Sequence, residues 1–178
     1  MKKIILTAFA AIIALISFSQ TATSDKMDKM VKHSGETLEV KVLKVDEIII
    51  TYKYPGEDAE QTIGKYAVAS ITYGTSGRKE EISDKVEVSG KDDWEKVVIL
   101  TDKSQVLGLK KGDDVRGKTA GMLSYQTAGS ADKKATKKIK EAAAALGAPF
   151  VLLTSNKQAI GYNAPAQSFK DGTTYTYK

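Results

Sequence analysis

The chain contains no cysteine, one histidine and, beyond its N-terminal segment, no long hydrophobic run. Each absence removes a class of protein. Without cysteine there are no disulfide staples, thiolate metal sites, thiol nucleophiles or acylated lipobox cysteine, so stability must come from burial. With His33 alone, a structural zinc centre needing about four nitrogen or sulfur ligands has at most one. No D-x-[DN]-x-[DN]-G loop offers calcium its oxygen ligands. No glycine-elbow serine accompanies His33 as a general base, and His33 is expected to be an exposed polar residue at a domain edge. No later stretch is long and apolar enough to span a bilayer, so no transmembrane segment is expected in a mature chain.

What is present begins with a compartment signal. Lys2 and Lys3 precede an apolar run from Ile4 to Phe18, and Ser19, Gln20, Thr21 and Ala22 follow. This is the layout of a secretory signal peptide over residues 1–22, with Ser17/Ser19 and Gln20/Ala22 as alternative −3/−1 pairs. The rival reading, an uncleaved anchor, lacks both the length and the stop-transfer charge. The expectation is therefore an exported protein, periplasmic or extracellular, without a lipid anchor. Its mature length of about 155 residues suffices for one ordinary core or two small ones. Without Lys2 and Lys3, 25 basic side chains face 22 acidic ones. The excess is local: Lys103 to Lys140 holds ten Lys/Arg against three Asp, which marks one basic segment rather than a basic protein.

Residues 23–35 read as a polar leader. From Glu36 the pattern is β: Leu38, Val40 and Val42 alternate with Glu39 and Lys41. Val45-Asp46-Glu47 turns into the β-branched run Ile48–Tyr52, and Pro55-Gly56-Glu57-Asp58 is a turn by composition. Short strands follow near Gln61–Ile63 and Val68–Tyr73, with Gly74–Gly77 as a hairpin loop before Arg78–Ile82. Residues 36–83 thus form a small antiparallel sheet or barrel, and 84–93 a linker. In the second unit, 94–178, Val97–Thr101 and Phe150–Thr154 are apolar runs suited to strands buried on both faces. Five glycines between Gly108 and Gly129 indicate a loop with at most short strands. A helix is predicted over 131–146, capped by Ser130 or Asp132 and ended by Gly147. Its apolar stripe is Ala135, Ile139, Ala142, Ala143 and Leu146. Thr173–Tyr177 reads as an edge strand. The fold class is α+β, with a βαβ-like second module.

Gly35-Glu36, Val40–Val45 and Ile50-Thr51-Tyr52-Lys53, closed by Ile71-Thr72-Tyr73 and Gly77, resemble an all-β module common in exported bacterial proteins. Val97–Thr101, Ala142-Ala143 and Leu146-Gly147-Ala148 before Phe150–Leu153 resemble the small α+β domains of the YbjQ-like and RcsF-like envelope families. The resemblance implies an envelope location. The stress-sensor branch of those families uses disulfides and a lipid anchor, which a cysteine-free chain does not have.

Three constellations bear on function. Gly112–Thr119 matches G-x-x-x-x-G-K-[ST], the phosphate-binding loop. Asp113 and Asp114 would sit against the phosphates, however, and glycines follow where a helix must start, so a connecting loop is expected. The carboxylate pairs Glu80/Glu81, Asp92/Asp93 and Asp113/Asp114 would diverge on strands or lie in solvated turns. The lysines of the predicted helix, Lys133, Lys134, Lys137, Lys138 and Lys140, lie opposite its apolar stripe and are the candidate binding residues for an anionic surface. The expected function is a non-enzymatic envelope protein acting as an interaction or structural module, with homo-oligomerisation through β edges as a further expectation. Its partner would be an envelope protein or an anionic envelope component. No cofactor and no nucleic acid is expected, because no aromatic residue interleaves with the lysines. The alternatives are a small cell-wall-directed hydrolase using carboxylates and an anionic-surface binder acting through the lysine face of the helix over 131–146.

Overall fold

The computed structural model describes residues 26–119, 127–159 and 166–178. The segment expected to be a signal peptide, residues 1–22, lies outside the described residues, as does part of the glycine-rich stretch between Gly108 and Gly129.

The first six strands form one open antiparallel sheet. They are β1 (Asp28–Lys32), β2 (Thr37–Val45), β3 (Ile49–Lys53), β4 (Glu60–Gly64), β5 (Val68–Thr72) and β6 (Lys79–Glu81), in the order β4-β3-β2-β1-β5-β6. The predicted turns at 55–58 and 74–77 fall between strands, and that at 45–47 begins on Val45, the last residue of β2. The barrel alternative does not hold, because β4 and β6 remain edges. The segment read as a leader supplies β1, which is central and carries fully buried Met30. Gly35, at φ +91°, closes the β1–β2 hairpin in a conformation that costs glycine little.

The second sheet contains β7 (Val98–Leu100), β8 (Lys110–Lys118), β9 (Phe150–Ala159) and β10 (Gln167–Thr176), in the order β7-β9-β10-β8. The one α-helix among the described residues, α1 (Ala128–Ala145), connects β8 to β9. These two strands run in the same direction with β10 between them, antiparallel to both, which is a split βαβ unit. Thr127 caps α1, its hydroxyl accepting from the Ser130 N–H at 3.3 Å, three residues ahead of the expected cap region. No described helix is long and apolar enough to cross a membrane.

Two sequence expectations are corrected. The glycine-rich stretch contains β8, a nine-residue strand, in which Gly112 and Gly117 serve close packing rather than turning. A Cβ at Gly117 would collide with the Ala135 carbonyl and the Ile139 backbone of α1. The predicted tail edge strand is the end of β10, a ten-residue central strand.

The four-stranded sheet is covered on both sides. Phe150 and Leu152 of β9 point to a core shared with Met30, Val40, Ile50, Tyr52, Val68 and Ile71 of the six-stranded sheet. Val151 and Leu153 point the other way, toward Ile139, Ala143 and Ala144 of α1. Alternate residues thus enter different cores, which is why this strand reads as an unbroken apolar run. The result is three layers: helix, four strands, six strands.

Candidate functional site: a lysine groove on the helix

The outer surface of α1 is partly covered by a 3-10 turn, Lys91–Lys96, that carries the only tryptophan of the chain. Trp94 packs half-buried at the margin of the helix-side core. Its indole lies beneath Lys137, whose Nζ is 4.9 Å from the ring centroid, within cation–π range. Lys140 reaches across to donate to the Glu95 carbonyl at 3.4 Å, and Lys137 approaches Glu141 at 3.9 Å. Trp94, Lys133, Lys134, Lys137 and Lys140 line a shallow groove of about 440 Å³, with Thr136 and Asp132 on its rim. That volume is in the range of small-ligand sites, which run from about 300 to 1,000 Å³.

Four of the five candidate lysines therefore meet. Lys138 does not: its Nζ donates to the Lys118 carbonyl at 2.9 Å, at the end of β8. Helix geometry explains the division. Residues 133, 137 and 140 fall within one narrow sector and 134 lies about 60° from 137, whereas 138 is rotated a further step, about 100° from 137. Lys133 and Lys134 are exposed and form no ion pair among the described residues. Trp94, where the sequence places the start of the second unit, is not among the binding residues expected from the sequence. The available signal was charge: Asp92, Asp93 and Glu95 surround it, complementing a lysine-rich helix elsewhere in the chain.

Asp132 looks into the fold. Its Oδ1 accepts from Lys170 Nζ at 2.9 Å, Ser168 Oγ at 3.2 Å and Gln158 Nε2 at 3.4 Å, and Lys170 also donates to Asn156 Oδ1 at 3.0 Å. The hydrogen bond from the Lys170 ammonium holds the Asp132 carboxyl below the usual carboxylate range, against the opposing effect of burial. This network fastens the start of α1 to β9 and β10.

The other constellations serve the fold. Gly112–Lys118 lies within β8, so no phosphate-binding loop precedes a helix here. Asp114 accepts from the Thr173 hydroxyl, Asp93 from Lys96 and the Ser89 N–H, and Glu80 from the Tyr73 hydroxyl; none of the pairs converges on a common point. His33 is not the exposed edge residue expected. It is part-buried, 2.9 Å from Ser83 Oγ and packed on Tyr177 with centroids 5.0 Å apart. Ser83 Oγ donates to the Val68 carbonyl at 2.9 Å or the Lys65 carbonyl at 3.1 Å, so its proton is committed and His33 acts as the donor rather than as a base. Burial, above all, lowers the His33 pKa, which favours this neutral arrangement. Among the described residues, no group of three or more His, Asp or Glu is placed to hold a metal ion.

The chain matches no family model, no curated protein and no solved structure.

Proposed function

We propose that this is an exported, non-enzymatic envelope protein that acts as an interaction module and engages an anionic envelope partner through the groove between Trp94 and α1. The observation that carries this reading is the convergence of Lys133, Lys134, Lys137 and Lys140 around one indole. Ammonium groups in such a cluster reinforce one another's field, and at physiological salt that field extends about 8 Å. The N-terminal Lys2–Ala22 pattern supports export.

The test is binding to an acidic surface. The purified protein should be retained on vesicles or polymers carrying negative charge and released as salt rises. At about 1 kcal/mol per lysine near an anionic surface, Lys133→Gln, Lys134→Gln and Lys137→Gln together should weaken retention by roughly a hundredfold. Retention unaffected by salt and by the triple change would refute the reading. Cell fractionation with N-terminal sequencing checks export: an intact chain in the cytoplasm would contradict it.

A further inference from the structure

We infer that the groove takes an acidic polysaccharide, with a sugar ring stacked on Trp94 and its carboxylates held by Lys133, Lys137 and Lys140. This rests on the anionic-partner reading above and narrows it to one chemistry.

The argument starts from the groove's two-part surface. Its lining has an apolar part, indole and lysine methylene, and a charged part, the ammonium groups, of which Lys137 Nζ lies over the indole. A purely ionic ligand, such as free phosphate, has no use for that apolar part. A pyranose ring bearing a carboxylate needs both: an aromatic platform for its C–H face and cations for its acid. The helix supplies those cations in a row. Positions 133, 137 and 140 lie along one stripe about 10 Å long, so the anions of a chain rather than of a single small molecule can be met in succession. Of the acids beside the groove, Asp132 is paired with Lys170 and Asp93 with Lys96, while Glu141 approaches Lys137 at 3.9 Å.

Two other polyanions fit less well. A bilayer is met by side chains that protrude, whereas Trp94 is half-buried and held in its 3-10 turn, whose end is closed by the Val97 N–H donating to the Trp94 carbonyl at 3.2 Å. A single-stranded nucleic acid stacks successive bases on several aromatics, and this groove has one. Lys137 lies over the indole in the unliganded chain and would swing aside to meet a carboxylate, since an exposed cation–π contact is weak.

Because Trp94 is the only tryptophan, fluorescence excited to the red of tyrosine absorption reports on the indole in this groove. The full chain should be titrated with polygalacturonate, with dextran as the neutral control and phosphatidylglycerol vesicles as the lipid control. The expected result is a saturable fluorescence change with polygalacturonate alone, abolished by high salt. Calorimetric affinity should fall roughly tenfold in Trp94→Ala and stay within about threefold in Trp94→Phe, which keeps a stacking face. Circular dichroism of each variant separates lost binding from lost fold. Response to vesicles but not to polygalacturonate would overturn the polysaccharide while leaving the anionic-partner reading intact. No response to either probe would overturn both. Polygalacturonate binding with an unchanged indole signal, or equal affinity in Trp94→Ala, would overturn the stacking.

Discussion

Two sets of lysines on packed neighbouring elements, α1 and β10, do opposite things. The Lys170 side chain is only 6% exposed, and its ammonium is shared between Asp132 and Asn156. Lys133 and Lys134 stand in solvent, and Lys137 rests on an indole. A buried charge persists only with its partners in place, so Lys170 is bound to the architecture. An exposed charge costs the fold almost nothing and remains available to something outside it. The contrast shows that the lysines of this layer are not one feature: the helix contributes a surface, and the strand behind it contributes an anchor.

The largest expected effect comes from attacking the anchor. Lys170→Met leaves Asp132 facing the sheet without its cation and should destabilise the fold by about 3 kcal/mol. This is the low end of the range because Asp132 is 32% exposed. Urea denaturation reads it, and Lys170→Met with Asp132→Leu should recover part of the loss, since no charge is then left unpaired. A cost below about 0.5 kcal/mol would erase the distinction between the two lysine sets. Next in size is Trp94→Ala, expected to lose about 2 kcal/mol because a half-buried indole leaves the margin of the helix-side core. Then comes pH. The Asp132 carboxyl is depressed below an unfolded value of about 3.9, so its stabilisation is complete above that value and is lost as pH falls through the folded one. The stability gap between the native chain and Asp132→Asn should therefore be constant near neutrality and shrink below about pH 4. A gap that stays constant into strong acid would mean that Lys170 does not hold the carboxyl.

The contrast between anchor and surface also explains which parts of the fold were legible in the sequence. Hairpins announced by Pro55-Gly56 and Gly74–Gly77 were readable because turn chemistry is local. So was α1, whose Ala135, Ile139 and Ala143 repeat at helical spacing. The middle of β10 was not, because Ser168, Lys170, Thr173 and Thr174 are buried polar residues and leave no hydrophobic alternation to follow. Each is satisfied by a distant partner: Asp132 for Ser168 and Lys170, Asp114 for Thr173, the Asp113 carbonyl for Thr174. The same applies to β8, which buries only Val115 and Gly117 and so reads as a loop. β1 was hidden by its brevity, with Met30 its one fully buried side chain. At the groove, the lysines followed from helical periodicity, whereas Trp94 arrives through tertiary packing that no local pattern encodes.

The smallest expected effect on stability completes the comparison. Lys133→Gln and Lys137→Gln together should shift the unfolding free energy by less than about 0.5 kcal/mol, because Lys133 has no ion pair among the described residues and Lys137 loses only an exposed cation–π contact. The Glu141 contact at 3.9 Å adds little, being long and solvated. A stabilising shift is as informative as none, since removing two neighbouring like charges relieves repulsion at i,i+4. A loss near that of Lys170→Met would instead make the groove lysines part of the framework, and a surface that holds the fold together is poorly suited to exchanging partners. The pair of changes thus separates availability from architecture by stability alone, independently of any ligand.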